Sequence, residues 1–293
     1  MLNIRTILQL LRVRQWLKNS LVLFPLVFSG HSREPQKVLA TFLSMFAFCM
    51  VVSSVYIFND LCDATRDQIH PVKKKRPLSS QKIQVRTALL IAGVLLIVGL
   101  SMALAVNFKV AVVILAYLLV HFIYNWRVRD WVFFDVLLIA IGFQLRIWAG
   151  CWAIGVMPSG WLQICVFFLS LLLGFTKRRS EIVVLGGNAS GHRSSLVGYQ
   201  SLPLDGIIIF LSVATMISYL LYTISPELIY RLGGHRMVFS SIFVDVGLGR
   251  YLYLVYVQKL GEDVSELILN DIFSMLNIVL WLLSIYFVLY GHI

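Results

Sequence analysis

The chain has 293 residues, 59% of them hydrophobic and 13% charged, with a mean hydropathy of +0.84 and a formal net charge of +11. Ordinary soluble domains carry about 25% charged residues, and no soluble fold could hide this much apolar surface, so composition excludes a soluble protein and places the chain in a lipid bilayer. The basic balance does not indicate nucleic acid, because the Lys and Arg residues lie in short segments between apolar runs, where membrane topology puts them.

In chain order, the N-terminal stretch carries Arg5, Arg12, Arg14 and Lys18. It shows no short apolar core followed by a small-residue cleavage site, so no cleavable signal peptide is expected. A membrane span needs about 20 apolar residues. On that basis the sequence predicts nine helices at roughly 17–33, 40–59, 86–106, 108–125, 132–154, 160–177, 205–224, 237–258 and 269–290. The first is short and interrupted by Pro25. Asn107 marks a tight turn, and Met157-Pro158-Ser159-Gly160 marks another. The expected fold is all-α, a polytopic membrane helix bundle forming one domain over residues 1–293. Cys49, Cys62, Cys151 and Cys165 form no CxxC pair and read as reduced packing residues.

Orientation follows from charge. With the N-terminus inside, 18 of the 25 Lys and Arg residues fall on the cytoplasmic side and five outside, with Arg146 and Arg250 inside helices. The positive-inside rule then expects a cytoplasmic N-terminus and an external C-terminus.

The strongest chemical signal is Asn59-Asp60-Leu61-Cys62-Asp63-Ala64-Thr65-Arg66-Asp67, where the second span leaves the membrane on the cytoplasmic side. At about 100° per residue, Asp60, Asp63 and Asp67 share one helix face if the helix continues. Three like charges there repel, which calls for a cation. Carboxylate oxygens suit Mg²⁺, which also takes substrate phosphate oxygens as ligands. A solvated helix end with scattered acids is the bland alternative. His70-Pro71-Val72-Lys73-Lys74-Lys75-Arg76-Pro77 follows closely, and cations beside carboxylates can hold metal and phosphate together. Positive-inside topology alone accounts for Lys74 and Lys75.

Asp135, Gln144 and Arg146 fall within the fifth span, with Arg146 about 16 Å deeper than Asp135. Ionisable groups at membrane depth mark function by default, with a buried structural ion pair as the alternative for Arg146. The sixth span ends in Thr176-Lys177-Arg178-Arg179-Ser180-Glu181, where Lys177 and Glu181 are spaced to pair or the cations form an anchoring collar. Tyr124 and Arg129 lie in the short loop before the fifth span, on the same side as the acids. Trp126 and Trp131 read as interfacial anchors.

These residues resemble the UbiA-type intramembrane prenyltransferase superfamily, whose Asn-Asp-x-x-Asp-x-x-x-Asp motif is matched by Asn59, Asp60, Asp63 and Asp67. More narrowly, the chain is similar to the decaprenyl-phosphate phosphoribosyltransferase branch. That likeness rests on Arg14-Gln15-Trp16-Leu17-Lys18-Asn19, on Ser54 to Asp60 with Tyr56, and on His70-Pro71 and Arg76-Pro77. It extends to Tyr124, Arg129, Asp135, Arg146 with Ala149-Gly150, and Lys177-Arg178 with Glu181. Val13, Gln81 and Arg129 depart from the usual residues. The resemblance implies nine helices around a lipid-open cavity and Mg²⁺ dependence. Prenyl-diphosphate users carry a second acidic motif after the sixth helix, where this chain has Lys177 to Glu181; the basic replacement suits a substrate bearing a monophosphate.

The implied reaction moves 5-phosphoribosyl from phosphoribosyl diphosphate to a polyprenyl phosphate in a bacterial inner membrane. Metal ligands would be Asn59, Asp60, Asp63 and Asp67. Lys73 and Arg76 would offset developing charge, while Lys18, Asn19, Tyr56, Tyr124, Arg129, Asp135, Arg146, Lys177, Arg178 and Glu181 would line the substrates. A prenyl transfer to an aromatic or other acceptor is the rival enzyme. A transporter is the rival of another class, although no inverted repeat is visible. Assembly is open, with a homo-oligomer among the options.

Overall fold

Among the described residues every regular element is helical. The computed structural model describes residues 3–68, 73–185, 194–258 and 263–291, without the side chains of Arg66, Lys73, Arg129, Leu185, Ser194, Ser195 and Arg231. Eight of these helical segments are long and apolar enough to cross a membrane. Large apolar side chains on them face outward; Leu90 and Ile97 are 68% and 67% exposed. A bilayer covers such surface, and water would not.

The chain divides into two compact units. The first comprises Met1–Asn125 and Leu145–Met157, the second Trp126–Gln144 and Pro158–Ile293.

The first unit opens with α1 (Ile4–Leu10), a 3-10 helix over Val13–Leu23, and α2 (Phe24–Phe28). The span expected over roughly 17–33, interrupted by Pro25, is thus a 3-10 helix followed by a short α-helix. Pro25 has no N–H to donate and sits in the first turn of α2, where it is tolerated. Gly30, at φ 84, ends the run. A 3-10 helix rises about 2.0 Å per residue, so Val13 to Phe28 still covers about 30 Å, the thickness of the hydrocarbon core.

Next come α3 (Pro35–Cys62), α4 (Ala64–Asp67), α5 (Val85–Val106) and α6 (Phe108–Trp126). Lipid supplies no hydrophobic drive between helices, so small residues that allow close approach decide the packing. On α5 these are Ala88, Ala92, Gly99 and Ala103, all buried, and a Cβ on Gly99 would collide with the side chain of Val51 and the carbonyl of Ala47 on α3. Asn107 makes the expected turn: its Oδ1 accepts from Val110 N at 2.9 Å and its Nδ2 donates to Trp152 O at 2.9 Å.

In chain order α7 (Phe134–Ile154) follows, its N-terminal half in the second unit and its C-terminal half in the first. The second unit continues with α8 (Gly160–Leu185), α9 (Ser194–Gln200), α10 (Leu204–Thr223) and α11 (Pro226–Leu232). It ends with α12 (Ser241–Tyr256), α13 (Val264–Asn270) and α14 (Ile272–Tyr290). The helix α8 runs eight residues past the expected end at 177 and carries Lys177 to Glu181 on regular helix.

Candidate active site

The carboxylate motif occupies the last turn of α3 and its continuation. Asp63 N donates to Asn59 O at 2.9 Å and Asp67 N to Asp63 O at 2.9 Å. The helical ladder thus runs through the junction, with only mild unwinding at Asp63 (φ −94, ψ 0). Asp60 and Asp67 are 3% and 5% exposed, whereas Asp63 is half-buried.

Burying two carboxylates demands counter-charge, and two arginines provide it. Arg76 Nη1 donates to Asp60 Oδ1 at 3.0 Å and to Asp67 Oδ2 at 2.5 Å. Arg12 Nε donates to Asp60 Oδ2 at 3.2 Å, and its Nη2 donates to Asp60 Oδ1. The Arg12 backbone is left-handed (φ 50), and its guanidinium lies 4.8 Å from the centre of the Tyr56 ring. Ser53 Oγ on α3 donates to Leu11 O at 2.8 Å and accepts from Trp16 Nε1 at 3.0 Å, fastening the N-terminal segment beside the motif. Asn59 Oδ1 accepts from Asn125 Nδ2 at 2.9 Å, which ties the motif to the end of α6.

Among the described residues no three His, Cys, Asp or Glu side chains form a metal-holding group. Asp60 and Asp67 instead converge on the Arg76 nitrogen. His70 and Pro71 lie outside the described residues, as does the side chain of Lys73. Lys74 and Lys75 are exposed.

Deeper in the first unit, Arg146 is 5% exposed. Its Nε donates to Asn19 Oδ1 at 2.8 Å and its Nη2 to the Tyr117 hydroxyl at 3.2 Å. The guanidinium lies 4.9 Å from the centre of the Tyr117 ring. Asn19 Nδ2 donates onward to Cys49 Sγ at 3.3 Å. Lys18 Nζ donates to Gln15 Oε1 at 2.5 Å. Tyr124 stands on the last turns of α6 rather than in a loop.

In the second unit Asp135 is completely buried and accepts from Arg178 Nε at 2.7 Å and from the Tyr199 hydroxyl. Arg178 is 1% exposed, and its Nη1 donates to Glu181 Oε2 at 2.6 Å. Arg178 therefore serves as the counter-ion of two carboxylates at the α7–α8–α9 junction. Burial, then the bond to Asp135, raises the Tyr199 pKa above the ordinary phenol range and keeps it a donor. The Arg129 side chain lies outside the described residues. Arg250 Nη2 donates to Asp271 Oδ1 at 2.6 Å, and Arg250 holds the Asp271 carboxyl below its usual range.

Sequence reasoning missed Arg12, Asn125 and Tyr199 as parts of these networks. Arg12 was given no site role, and Asn125 and Tyr199 were not singled out. Arg12 and Asp60 are 48 positions apart, and Tyr199 and Asp135 are 64 apart, so no local spacing announces either pair.

The model of the UbiA prenyltransferase family matches residues 21–262, most of the chain. The chain belongs to the UbiA prenyltransferase family. Among similar proteins, the uncharacterized protein y4nM of Sinorhizobium fredii is 30% identical over 267 residues, covering 89% of this chain and 51% of its own length. The decaprenyl-phosphate phosphoribosyltransferase of Mycolicibacterium smegmatis is 30% identical over 228 residues, covering 75% of this chain and 71% of its own length. The UbiA chain thus spans about half of the first relative and under three quarters of the second. A solved UbiA homologue from Archaeoglobus fulgidus, bound to GPP and Mg²⁺, shares the fold with a TM-score of 0.71 at 20% identity, over 97% of this chain and 99% of that one. The family is one of transferases, and this member is a multi-pass membrane protein.

Proposed function

We propose that this UbiA member transfers 5-phosphoribosyl from phosphoribosyl diphosphate to a polyprenyl phosphate at the cytoplasmic face of a bacterial plasma membrane. The observation that carries the reading is the convergence of Asp60 and Asp67 on a single cationic atom beside a second arginine, a place built to hold opposite charges together. The phosphoribosyltransferase relative supports the substrate class. So does the helical Lys177-Arg178-Arg179-Ser180-Glu181 end of α8, a mainly basic stretch.

In the reaction an oxygen of the lipid phosphate attacks the anomeric carbon, the bond from that carbon to the diphosphate oxygen breaks, and diphosphate leaves with the electron pair. The acceptor is already an anion, so no protein nucleophile is needed, and positioning with electrostatic stabilisation carries the rate. The donor set of Asp60, Asp63, Asp67 and Asn59 consists of hard oxygens, which fits Mg²⁺. When bound, that ion would neutralise charge on the leaving diphosphate. Arg76, with Lys73, supplies further positive charge to the same group. Arg12 fixes the Asp60 carboxylate. Lys18 and Lys177 are the cations assigned to monophosphates. Asn19, Arg146, Asp135, Arg178 and Glu181, with Tyr56, Tyr124 and Arg129, complete the substrate assignment.

The test is mass spectrometry of lipids after membranes holding the protein are incubated with phosphoribosyl diphosphate, polyprenyl phosphate and Mg²⁺. A phosphoribosylated polyprenyl phosphate is expected. A second reading, prenyl transfer from a prenyl diphosphate, is favoured by the solved homologue bound to GPP and Mg²⁺. Parallel incubation with each labelled donor separates the two, and label incorporated only from prenyl diphosphate would replace the first reading with the second.

A further inference from the structure

Arg76 uses the same carboxylate oxygens that a divalent cation would need. Its Nη1 lies 3.0 Å from Asp60 Oδ1 and 2.5 Å from Asp67 Oδ2, bridging the pair. Arg12 engages only Asp60 of the two, through Nε and Nη2 together. Its guanidinium is packed on Tyr56, and the neighbouring Leu11 carbonyl is held by Ser53. The two arginines differ in what they join: Arg12 pairs with Asp60 and packs on Tyr56, both on α3, while Arg76 bridges Asp60 of α3 and Asp67 of α4.

The oxygens that Arg76 occupies are hard carboxylate donors of the kind a divalent cation takes, so guanidinium and cation compete for the same atoms.

We infer that Arg76 is an exchangeable counter-ion, displaced from Asp60 and Asp67 by a divalent cation and thereby released to donate to the diphosphate, while Arg12 remains as the fixed positioning residue of Asp60. This rests on the metal-site reading given above. A guanidinium suits the second task because its fork of N–H donors matches phosphate oxygens. The exchange makes cation and diphosphate binding mutually reinforcing, since each stabilises the outward Arg76, and such coupling is reciprocal.

The experiment is Mn²⁺ binding to the purified full chain, followed by electron paramagnetic resonance without any substrate. Variants are compared after matching their thermal melting and elution to the parent. Arg76→Gln is expected to bind Mn²⁺ about tenfold more tightly than the parent, within the range of about 5–150-fold usual for coupled sites. Arg76→Lys keeps the charge but replaces the fork with one ammonium, and is expected to bind about threefold more tightly. Should Arg76→Gln fail to fold, Arg76→Lys carries the test. Asp60→Asn is expected to abolish binding. Parental affinity in both Arg76 variants overturns the exchange while leaving the metal site standing, provided Asp60→Asn still abolishes binding. Tighter binding in Arg76→Gln with parental affinity in Arg76→Lys also overturns it, because simple repulsion then suffices. No binding in the parent or any variant overturns the exchange together with the metal reading.

Discussion

Asp60 and Asp135 are both buried carboxylates held by arginine, yet their surroundings assign them different consequences. The arginines on Asp60 keep about a quarter of their side-chain surface exposed, 24% for Arg12 and 28% for Arg76. Removing Asp60 leaves them able to meet water, a loss of the order of 1 kcal/mol. The partner of Asp135 is Arg178, at 1% exposure, and breaking a pair buried to that depth costs about 3–5 kcal/mol. Asp60→Ala is therefore expected to abolish transfer with little change in melting temperature, and Asp63→Ala to do the same. Asp135→Asn is expected to lower the melting temperature in detergent by several degrees. A lipid product assay run beside thermal melting checks the contrast, and full activity in Asp60→Ala would remove the metal assignment. At this scale the sequence singled out the acids but not what holds them. The one-face spacing of Asp60 and Asp67 follows from helix geometry, whereas Arg12 reaches Asp60 from a distant segment that Ser53 ties to α3 through Leu11 and Trp16.

The elements were legible where hydropathy alone decides and obscure where a polar stretch stays helical. Spans such as α5 and α6 fall within a residue of their expected ends, since lipid forces apolar backbone into closed hydrogen bonding. The expected end of α8 at 177 fell short because charge marks the close of an apolar span. Yet 26 residues extend about 39 Å, beyond a hydrocarbon core of about 30 Å, so the last turns can be both polar and helical. The 3-10 helix over Val13–Leu23 was equally hidden, since apolar content does not distinguish it from an α-helix. Its position depends on Gly150 of α7: a Cβ there would overlap the carbonyl of Val22 and crowd the Pro25 ring. Arg146, one turn earlier on α7, binds Asn19 on that same 3-10 helix. Gly150→Ala should therefore push the two elements apart, lengthen the Arg146–Asn19 bond and destabilise by about 1–3 kcal/mol, as overpacking does. Thermal melting in detergent measures this, and an unchanged melting temperature would mean the contact is looser than the backbone approach indicates.

For the whole molecule, composition alone placed the chain in the membrane, and eight apolar helices among the described residues agree. The single domain expected over 1–293 corresponds in the structure to two compact units, with α7 contributing residues to each. No periodicity in the sequence marks that division, because both units are built from the same apolar helices. Orientation is the remaining property of the whole chain, and the distribution of 18 against five Lys and Arg residues predicts it through the positive-inside rule. In a cysteine-free background, single cysteines at Gln84 and Ser159, both exposed, report opposite sides. A membrane-impermeant thiol reagent added to intact cells should label Ser159→Cys and spare Gln84→Cys until the membrane is opened. The reverse pattern would put Asp60, Asp63 and Asp67 outside. A donor as highly charged as phosphoribosyl diphosphate does not cross a bilayer unaided, so a motif on that side could not meet a donor made in the cytoplasm.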